Sequence, residues 1–289
     1  MDSMDAILTV SIMTFIAGVG GTGLGGFFGA LFRTESNRVV SLLLSATSGV
    51  MIAIVCLDLL VESLAAAQEF AWDNAVFIVS ISVILGVALV ALLNYVIDKR
   101  TKSEVSHTAD GHHPDTHDDI DELTHIDHYN SHVRHKDPNM DLWIAGVVIA
   151  SAIALHNIPE GMSIGATYNI DPNLLGGSAI VLAFLIGLHN IPEGMAVSVP
   201  LIAGGMGRVK AVALTALSGF PVVIGALIGL WLGEIGPLGL SCSLGFASGA
   251  MMYVVFAEII PQAVLMYRSK VPAFFVIAGF LIGLLIIYL

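Results

Sequence analysis

The segment HNIPEGM at residues 156–162 occurs again at residues 189–195, and both copies lie in stretches otherwise apolar enough to cross a membrane. Each copy carries a histidine and a glutamate four residues apart, which places both side chains on one face of a helix. Ionisable groups at membrane depth are costly and usually mark an ion or substrate pathway. Imidazole and carboxylate are also ligands that borderline divalent metals favour. The repeated segment therefore predicts an all-α membrane protein with a transition-metal site at membrane depth.

The composition also indicates a membrane-embedded chain. Of the 289 residues, 56% are hydrophobic and 12% are charged, whereas about a quarter of the residues of a soluble domain are charged. Residues 211–233 and 271–289 carry no charge, and each is long enough to span a bilayer as a helix. The net charge of −12 does not indicate a nucleic-acid partner, because the acidic residues concentrate in one loop. Cys56 and Cys242 lie in apolar segments and indicate neither a disulfide framework nor a cysteine metal cage.

Apolar runs predict an integral membrane protein with eight transmembrane helices in one membrane domain. Helices 1–3 fall within residues 1–98 and helices 4–8 within residues 142–289, with a His- and Asp-rich cytoplasmic loop at residues 99–141 between them. The predicted spans are residues 7–32, 39–65, 74–97, 142–168, 174–202, 209–233, 238–265 and 271–289.

The basic residues predict the orientation of these helices. All 11 Lys and Arg residues fall in, or at the edge of, the loops that follow predicted helices 1, 3, 5 and 7, which lie on the same side of the membrane. The positive-inside rule places this side in the cytoplasm and both termini outside. We expect the protein in the cell membrane, in contact with lipid.

A second repeat relates predicted helices 2 and 7. Residues 47–62 align without a gap with residues 247–262, and Asp58 matches Glu258. Helices 2 and 7 run in opposite directions, as do helices 4 and 5, so both repeats are inverted: helices 1–3 against 6–8, and helix 4 against helix 5. Transporters with this architecture place the substrate site near the membrane midplane, at the repeat interface. The alternative for helices 2 and 7 is that Ser, Gly and Met recur there because they pack well between helices.

The two HNIPEGM copies predict a central metal site if their helices cross at the prolines. Two imidazoles, two carboxylates and two amide oxygens then converge, and two buried carboxylates stay ionised together only with a cation between them. The alternative is a structural polar contact that holds the two helices together. Duplication of the whole set favours a functional site. The predicted ligands are His156, Asn157, Glu160, His189, Asn190 and Glu193.

Further carboxylates predict a pathway on either side of that site. Met51, Asp58 and Glu62 form one stripe on helix 2, with both carboxylates near its outer end, and Glu258 falls near the inner end of helix 7. We expect an outer and an inner acidic station. The alternatives are a solvated helix end for Glu62 and apolar core packing for Met51.

The loop between predicted helices 3 and 4 holds most of the histidines. Its composition cannot bury a core and predicts disorder, but it can chelate metal loosely. These accessory histidines are His107, His112, His113, His117, His125, His128, His132 and His135.

At these residues the chain resembles the ZIP (Zrt/Irt-like) family of metal-ion transporters, with H-N-x-P-E-G on helices 4 and 5 and a His-rich loop after helix 3. The resemblance implies uptake of zinc or a related divalent cation toward the cytoplasm. It further implies a binuclear centre, with Met51 among the ligands of one ion and Asn157 and Asn190 among those of the other. Family members often carry a carboxylate midway along helix 6, whereas residues 218–223 have none. We therefore expect one tightly bound ion, with any second ion much weaker.

A different functional class that these ligands permit is an intramembrane metal-dependent hydrolase, in which a metal activates water. Such an enzyme needs an open coordination position and a general base, and two inverted ligand sets supply neither. We therefore expect a transporter and not an enzyme, with the metal ion as its substrate. The sequence does not choose among zinc, iron, manganese and cadmium, and it leaves open whether the chain forms a homodimer.

Overall fold

The computed structural model describes residues 3–31, 37–104, 138–171 and 177–288. Within these ranges the backbone is helical almost throughout and contains no strand. A helix pairs its backbone N–H and C=O groups internally, which is the requirement that lipid imposes on an apolar segment. Most of the predicted cytoplasmic loop, including its eight histidines, lies outside the described residues.

Several of the helices contain a π-helical turn or a break. Helix α1 comprises Ser3–Phe15, the π turn Ile16–Gly20 and Gly21–Leu31. Helix α2 comprises Asn37–Ala53, the π turn Ile54–Leu59 and Leu60–Ala71, and a 3₁₀ turn at Trp72–Asn74 leads into α3. Helix α6 is broken between Ser218 and Pro221, and α7 contains the π turn Val255–Ile259. The remaining bounds are α3 Ala75–Glu104, α4 Pro138–Ile170, α5 Ser178–Ala203, α6 Arg208–Ser218 and Pro221–Glu234, α7 Pro237–Val254 and Ile260–Met266, and α8 Val271–Tyr288.

Six helical runs among the described residues are long and apolar enough to cross a membrane: Met4–Leu31, Arg38–Val96, Ser178–Val199, Arg208–Glu234, Pro237–Met266 and Val271–Tyr288. The prediction of an all-helical chain with several membrane spans is therefore confirmed. The count of eight is a finer statement and stays a prediction. When length and apolar composition alone are considered, Arg38–Val96 counts as one run of 59 residues, and α4 is not among the six.

Glycines allow close backbone contact between α4 and α6. A side chain at Gly161 would overlap the carbonyl of Val222, and one at Gly165 would overlap the carbonyl of Ala226. Helices α1 and α5 meet in the same way, since a side chain at Gly194 would overlap the carbonyl of Thr22. Small residues are the usual device for close helix packing within lipid. These contacts hold α4 and α5, which carry the repeated segments, against α6 and α1.

Two more helix pairs use the same device. Gly49 of α2 lies against the backbone of Val276 in α8, and Gly249 of α7 lies against the backbone of Val83 in α3. In both pairs a side chain on the glycine would overlap a carbonyl oxygen. Helices α2 and α7 are therefore each packed tightly against one further helix of the bundle.

Serine hydroxyls join α2 to α7 near both ends of their contact. Ser41 donates a hydrogen bond to the carbonyl of Ala263 at 2.5 Å, and Ser63 donates one to the carbonyl of Ser241 at 2.8 Å. Because the earlier residue of α2 meets the later residue of α7, the two helices run antiparallel. The inverted symmetry predicted for the whole bundle is not established by these contacts and stays a prediction.

Candidate metal centre

The two HNIPEGM segments face each other where α4 and α5 cross in antiparallel directions. His156 of α4 approaches Glu193 of α5, and His189 of α5 approaches Glu160 of α4. The four side chains are buried, with exposed fractions between 1% for Glu160 and 6% for His156. The predicted convergence of two imidazoles and two carboxylates is therefore what the structure contains.

The distances between these groups are short enough for a shared cation. The Nε2 atom of His189 lies 2.7 Å from Oε1 of Glu193 and 3.5 Å from Oε1 of Glu160. The Nε2 atom of His156 lies 3.2 Å from the same Oε1 of Glu193. One potential ligand atom from each of His156, Glu160 and Glu193 lies within 4.8 Å of the others. A metal ion with bonds of about 2.0–2.2 Å to nitrogen and oxygen fits a cluster of this size.

Several buried polar atoms in this cluster have no hydrogen-bond partner. Both carboxylate oxygens of Glu160, Oε2 of Glu193 and the Nδ1 atoms of both histidines are unpaired. A buried polar atom without a partner is costly, and a buried unpaired charge more so. Coordination of a cation removes that cost for lone pairs on oxygen and nitrogen. The donor set therefore fits a divalent metal better than it fits a purely structural contact.

The two asparagines have their amide groups oriented by neighbouring helices. The Nδ2 atom of Asn157 donates to the carbonyl of Ser218 at 2.9 Å, and that of Asn190 donates to the carbonyl of Ala17 at 3.3 Å. Both side chains are fully buried, and both Oδ1 atoms are without a partner. Each asparagine thus keeps a carbonyl oxygen available as a ligand.

The segment of α6 nearest Asn157 offers no side-chain carboxylate. The helix is interrupted after Ser218, and Val222 and Val223 are buried. Val222 lies directly beneath Gly161 of α4. The part of α6 that the sequence predicts to lack a carboxylate is therefore occupied by the buried apolar side chains of Val222 and Val223.

The remaining predicted residues occupy α2 and α7. Met51 is buried in the apolar core, with 2% of its surface exposed, and its role as a ligand stays a prediction. Asp58 is half-buried in the π turn of α2 and interacts electrostatically with Glu62, which is half-buried in the next turn. Glu258 is half-buried in the π turn of α7 and lies close enough to His156 to interact with it electrostatically.

Two features of these carboxylates escaped the sequence reasoning. The first is the π turn around both Asp58 and Glu258, a widening that often accompanies functional positions in helices. The second is Asn94 of α3, whose Nδ2 atom donates to Oε1 of Glu258 at 2.5 Å. Asn94 stands in an apolar helix, and its polarity was the only signal in the sequence.

Comparison with known proteins gives matches along almost the whole chain. The sequence model of the family described as ZIP zinc transporter matches residues 4–289. The zinc transporter ZupT of Akkermansia muciniphila is 31% identical over 283 residues, 97% of either chain. The zinc transporter ZupT of Clostridium perfringens is 29% identical over 287 residues, 97% of this chain and 95% of the relative. A shorter match of 143 residues, at 38% identity, joins 48% of this chain to 43% of the zinc transporter ZIP11 of Xenopus tropicalis.

Proposed function

The chain belongs to the ZIP family of zinc transporters, and we therefore propose that it carries a divalent transition-metal cation, zinc in the first place, toward the cytoplasm. The proposed route passes between α4 and α5. One observation supports the proposal that the metal binds between these helices. Two glutamates and two histidines are buried together there, with carboxylate oxygens that have no hydrogen-bond partner. A dehydrated divalent cation satisfies these atoms and neutralises their charge.

The proposed direction rests on the basic loops and on the two outer carboxylates. With the side of the membrane that carries all 11 Lys and Arg residues in the cytoplasm, Asp58 and Glu62 lie toward the outside and Glu258 toward the inside. A cation entering from outside then meets Asp58, the central cluster and Glu258 in that order. This arrangement supplies oxygen ligands along the path where a bare ion in lipid would be prohibitively costly.

We further propose eight spans related by an inverted repeat, which α2 and α7 support best. Their serine hydrogen bonds require antiparallel packing, and their π turns, at Ile54–Leu59 and Val255–Ile259, coincide to within one residue when the sequence repeat is aligned. The α4–α5 crossing is antiparallel as well. Counting Arg38–Val96 as two spans and adding α4 to the six apolar runs gives eight.

Zinc flux into sealed liposomes tests the proposed function. The purified protein is reconstituted around a zinc-sensitive dye, and we expect protein-dependent zinc entry that cadmium, manganese or ferrous iron inhibits according to its affinity. Empty liposomes and liposomes with an unrelated helical membrane protein are the controls. The hydrolase alternative has no support from the names of the relatives, all of which denote transporters. Absence of flux from folded, correctly inserted protein would refute the proposal.

A further inference from the structure

Asn94 is the polar side chain of α3 that reaches the inner acidic station. It is half-buried, and its amide N–H donates to the carboxylate of Glu258 in α7. The close α3–α7 contact places it there, because Gly249 lies against Val83 and Gly86 lies against Phe246. These backbone contacts precede Asn94 in α3 and Glu258 in α7. They set the relative position of the two helices and so bring the amide within hydrogen-bond distance of the carboxylate.

The corresponding position of α8 has no such donor. Val83, Ile84 and Gly86 of α3 recur in α8 as Val276, Ile277 and Gly279, and Tyr95 recurs as Tyr288. In the same alignment, Ile287 is the residue of α8 that corresponds to Asn94. The sequence repeat matches Asp58 of α2 with Glu258 of α7, and the alignment of α8 with α3 matches the aliphatic Ile287 with the amide of Asn94. The two ends of the pathway are chemically different at this position.

We propose that Asn94 is a positioning residue for metal release, acting through Glu258. This inference rests on the proposed transport function. The amide N–H occupies one lone pair of Oε1 and fixes the orientation of the carboxylate, so that Glu258 binds the cation through its remaining oxygen and holds it weakly. Without the amide, the carboxylate can bind the cation through both oxygens and so hold it more tightly. Release into the cytoplasm then becomes slower, while loading from outside is unchanged.

The test compares zinc uptake by Asn94→Leu, which keeps the size of the side chain, with Ile287→Ala, the matched control on α8. Loss of a hydrogen bond to a charged group typically changes an equilibrium constant about tenfold or more. We therefore expect Asn94→Leu to lower kcat about tenfold with KM for external zinc unchanged. Ile287→Ala should change neither parameter. Asn94→Asp, which replaces the donor by a second carboxylate at nearly constant shape, should lower kcat further. Unchanged kcat in both Asn94 variants, or a raised external KM alone, would overturn the proposal.

A double-mutant cycle separates this role from a structural one. In a Glu258→Ala background, Asn94→Leu should have no further effect on kcat, because the group through which it acts is gone. Additive losses would show that Asn94 merely holds α3 against α7 and would overturn the proposal. Wild-type protein that takes up no zinc would instead refute the proposed transport function.

Discussion

Glu193 connects the two halves of the central cluster, because both histidines approach the same carboxylate oxygen. The Nε2 atom of His189 lies 2.7 Å from Oε1 of Glu193, and that of His156 lies 3.2 Å from it. Glu160 is less well satisfied, with neither oxygen hydrogen-bonded. The two glutamates thus have different environments despite identical flanking sequence. A cation near Glu160 would give its oxygens a partner.

Removal of both carboxylates tests the part they play in transport. We expect the Glu160→Ala, Glu193→Ala double variant to take up zinc no faster than empty liposomes, because imidazoles alone cannot neutralise a dehydrated divalent ion at membrane depth. The measurement is zinc flux into liposomes, with protein recovery and melting temperature as checks on folding. Glu234→Ala, at an exposed helix end, is the matched control and should transport normally. Uptake at the wild-type rate in the double variant would contradict this role.

At the scale of the helices, the sequence predicted well where helical segments lie and in what order they follow, but it predicted their boundaries less well. The predicted second span, residues 39–65, is shorter than the helix observed, which continues to Ala71. It continues because Leu60–Ala71 has no residue that breaks a helix, although its polarity rises toward the end. The break of α6 after Ser218 was missed, since Pro221 begins a new helical segment there. The π turns were also missed, because apolar periodicity does not register one additional residue per turn.

The glycine contact between α4 and α6 yields a prediction at this scale. Gly165→Ala adds a methyl group that would overlap the carbonyl of Ala226, so we expect destabilisation of about 1–3 kcal/mol through overpacking. The melting temperature of the purified protein in detergent should fall. Gly207→Ala is the matched control, because nothing lies within 4 Å of a side chain there and its φ of −61° suits alanine. Equal melting temperatures for the two variants would show that the contact is not tight.

The π turns of α2 and α7 yield a second prediction at this scale. Asp58→Ala should chiefly raise the external zinc concentration needed for half-maximal uptake, since it removes a carboxylate on the entry side, between Glu62 and the central cluster. Glu258→Ala should lower the maximal rate and leave external loading nearly unchanged, because it removes the carboxylate on the release side. Initial uptake rates over a range of external zinc distinguish the two effects. The opposite assignment of effects would reverse the proposed direction of transport.

For the molecule as a whole, the sequence predicted which buried side chains come together better than it predicted the packing of the helices around them. Identical segments at residues 156–162 and 189–195 placed the ligand types on helices that had to meet, and the structure brings them together. The pairing of α3 with α7 through Gly86 and Gly249 could not be predicted. A glycine in the sequence indicates that another helix can pack closely at that position, but it does not indicate which helix does so. For the same reason Asn94 gave no sign in the sequence of its contact with Glu258.

The number of tightly bound ions is decided by the whole donor set, including what α6 lacks. Val222 and Val223 provide no side-chain oxygen near Asn157, so a second ion would depend on amide oxygens and on carboxylates already engaged with the first. Hard amide oxygens alone bind a transition metal weakly compared with imidazole and carboxylate together. We therefore expect one tightly bound ion in the membrane region.

Zinc titration of the purified protein, with residues 107–135 deleted so that the loop histidines do not contribute, tests the central claim most directly. The account predicts one tightly bound zinc ion per chain, and none in the same protein carrying Glu160→Ala and Glu193→Ala. Two equally tight ions in the first protein would contradict the single-ion site. A tight ion retained in the second would contradict the assignment of the α4–α5 cluster as the metal centre.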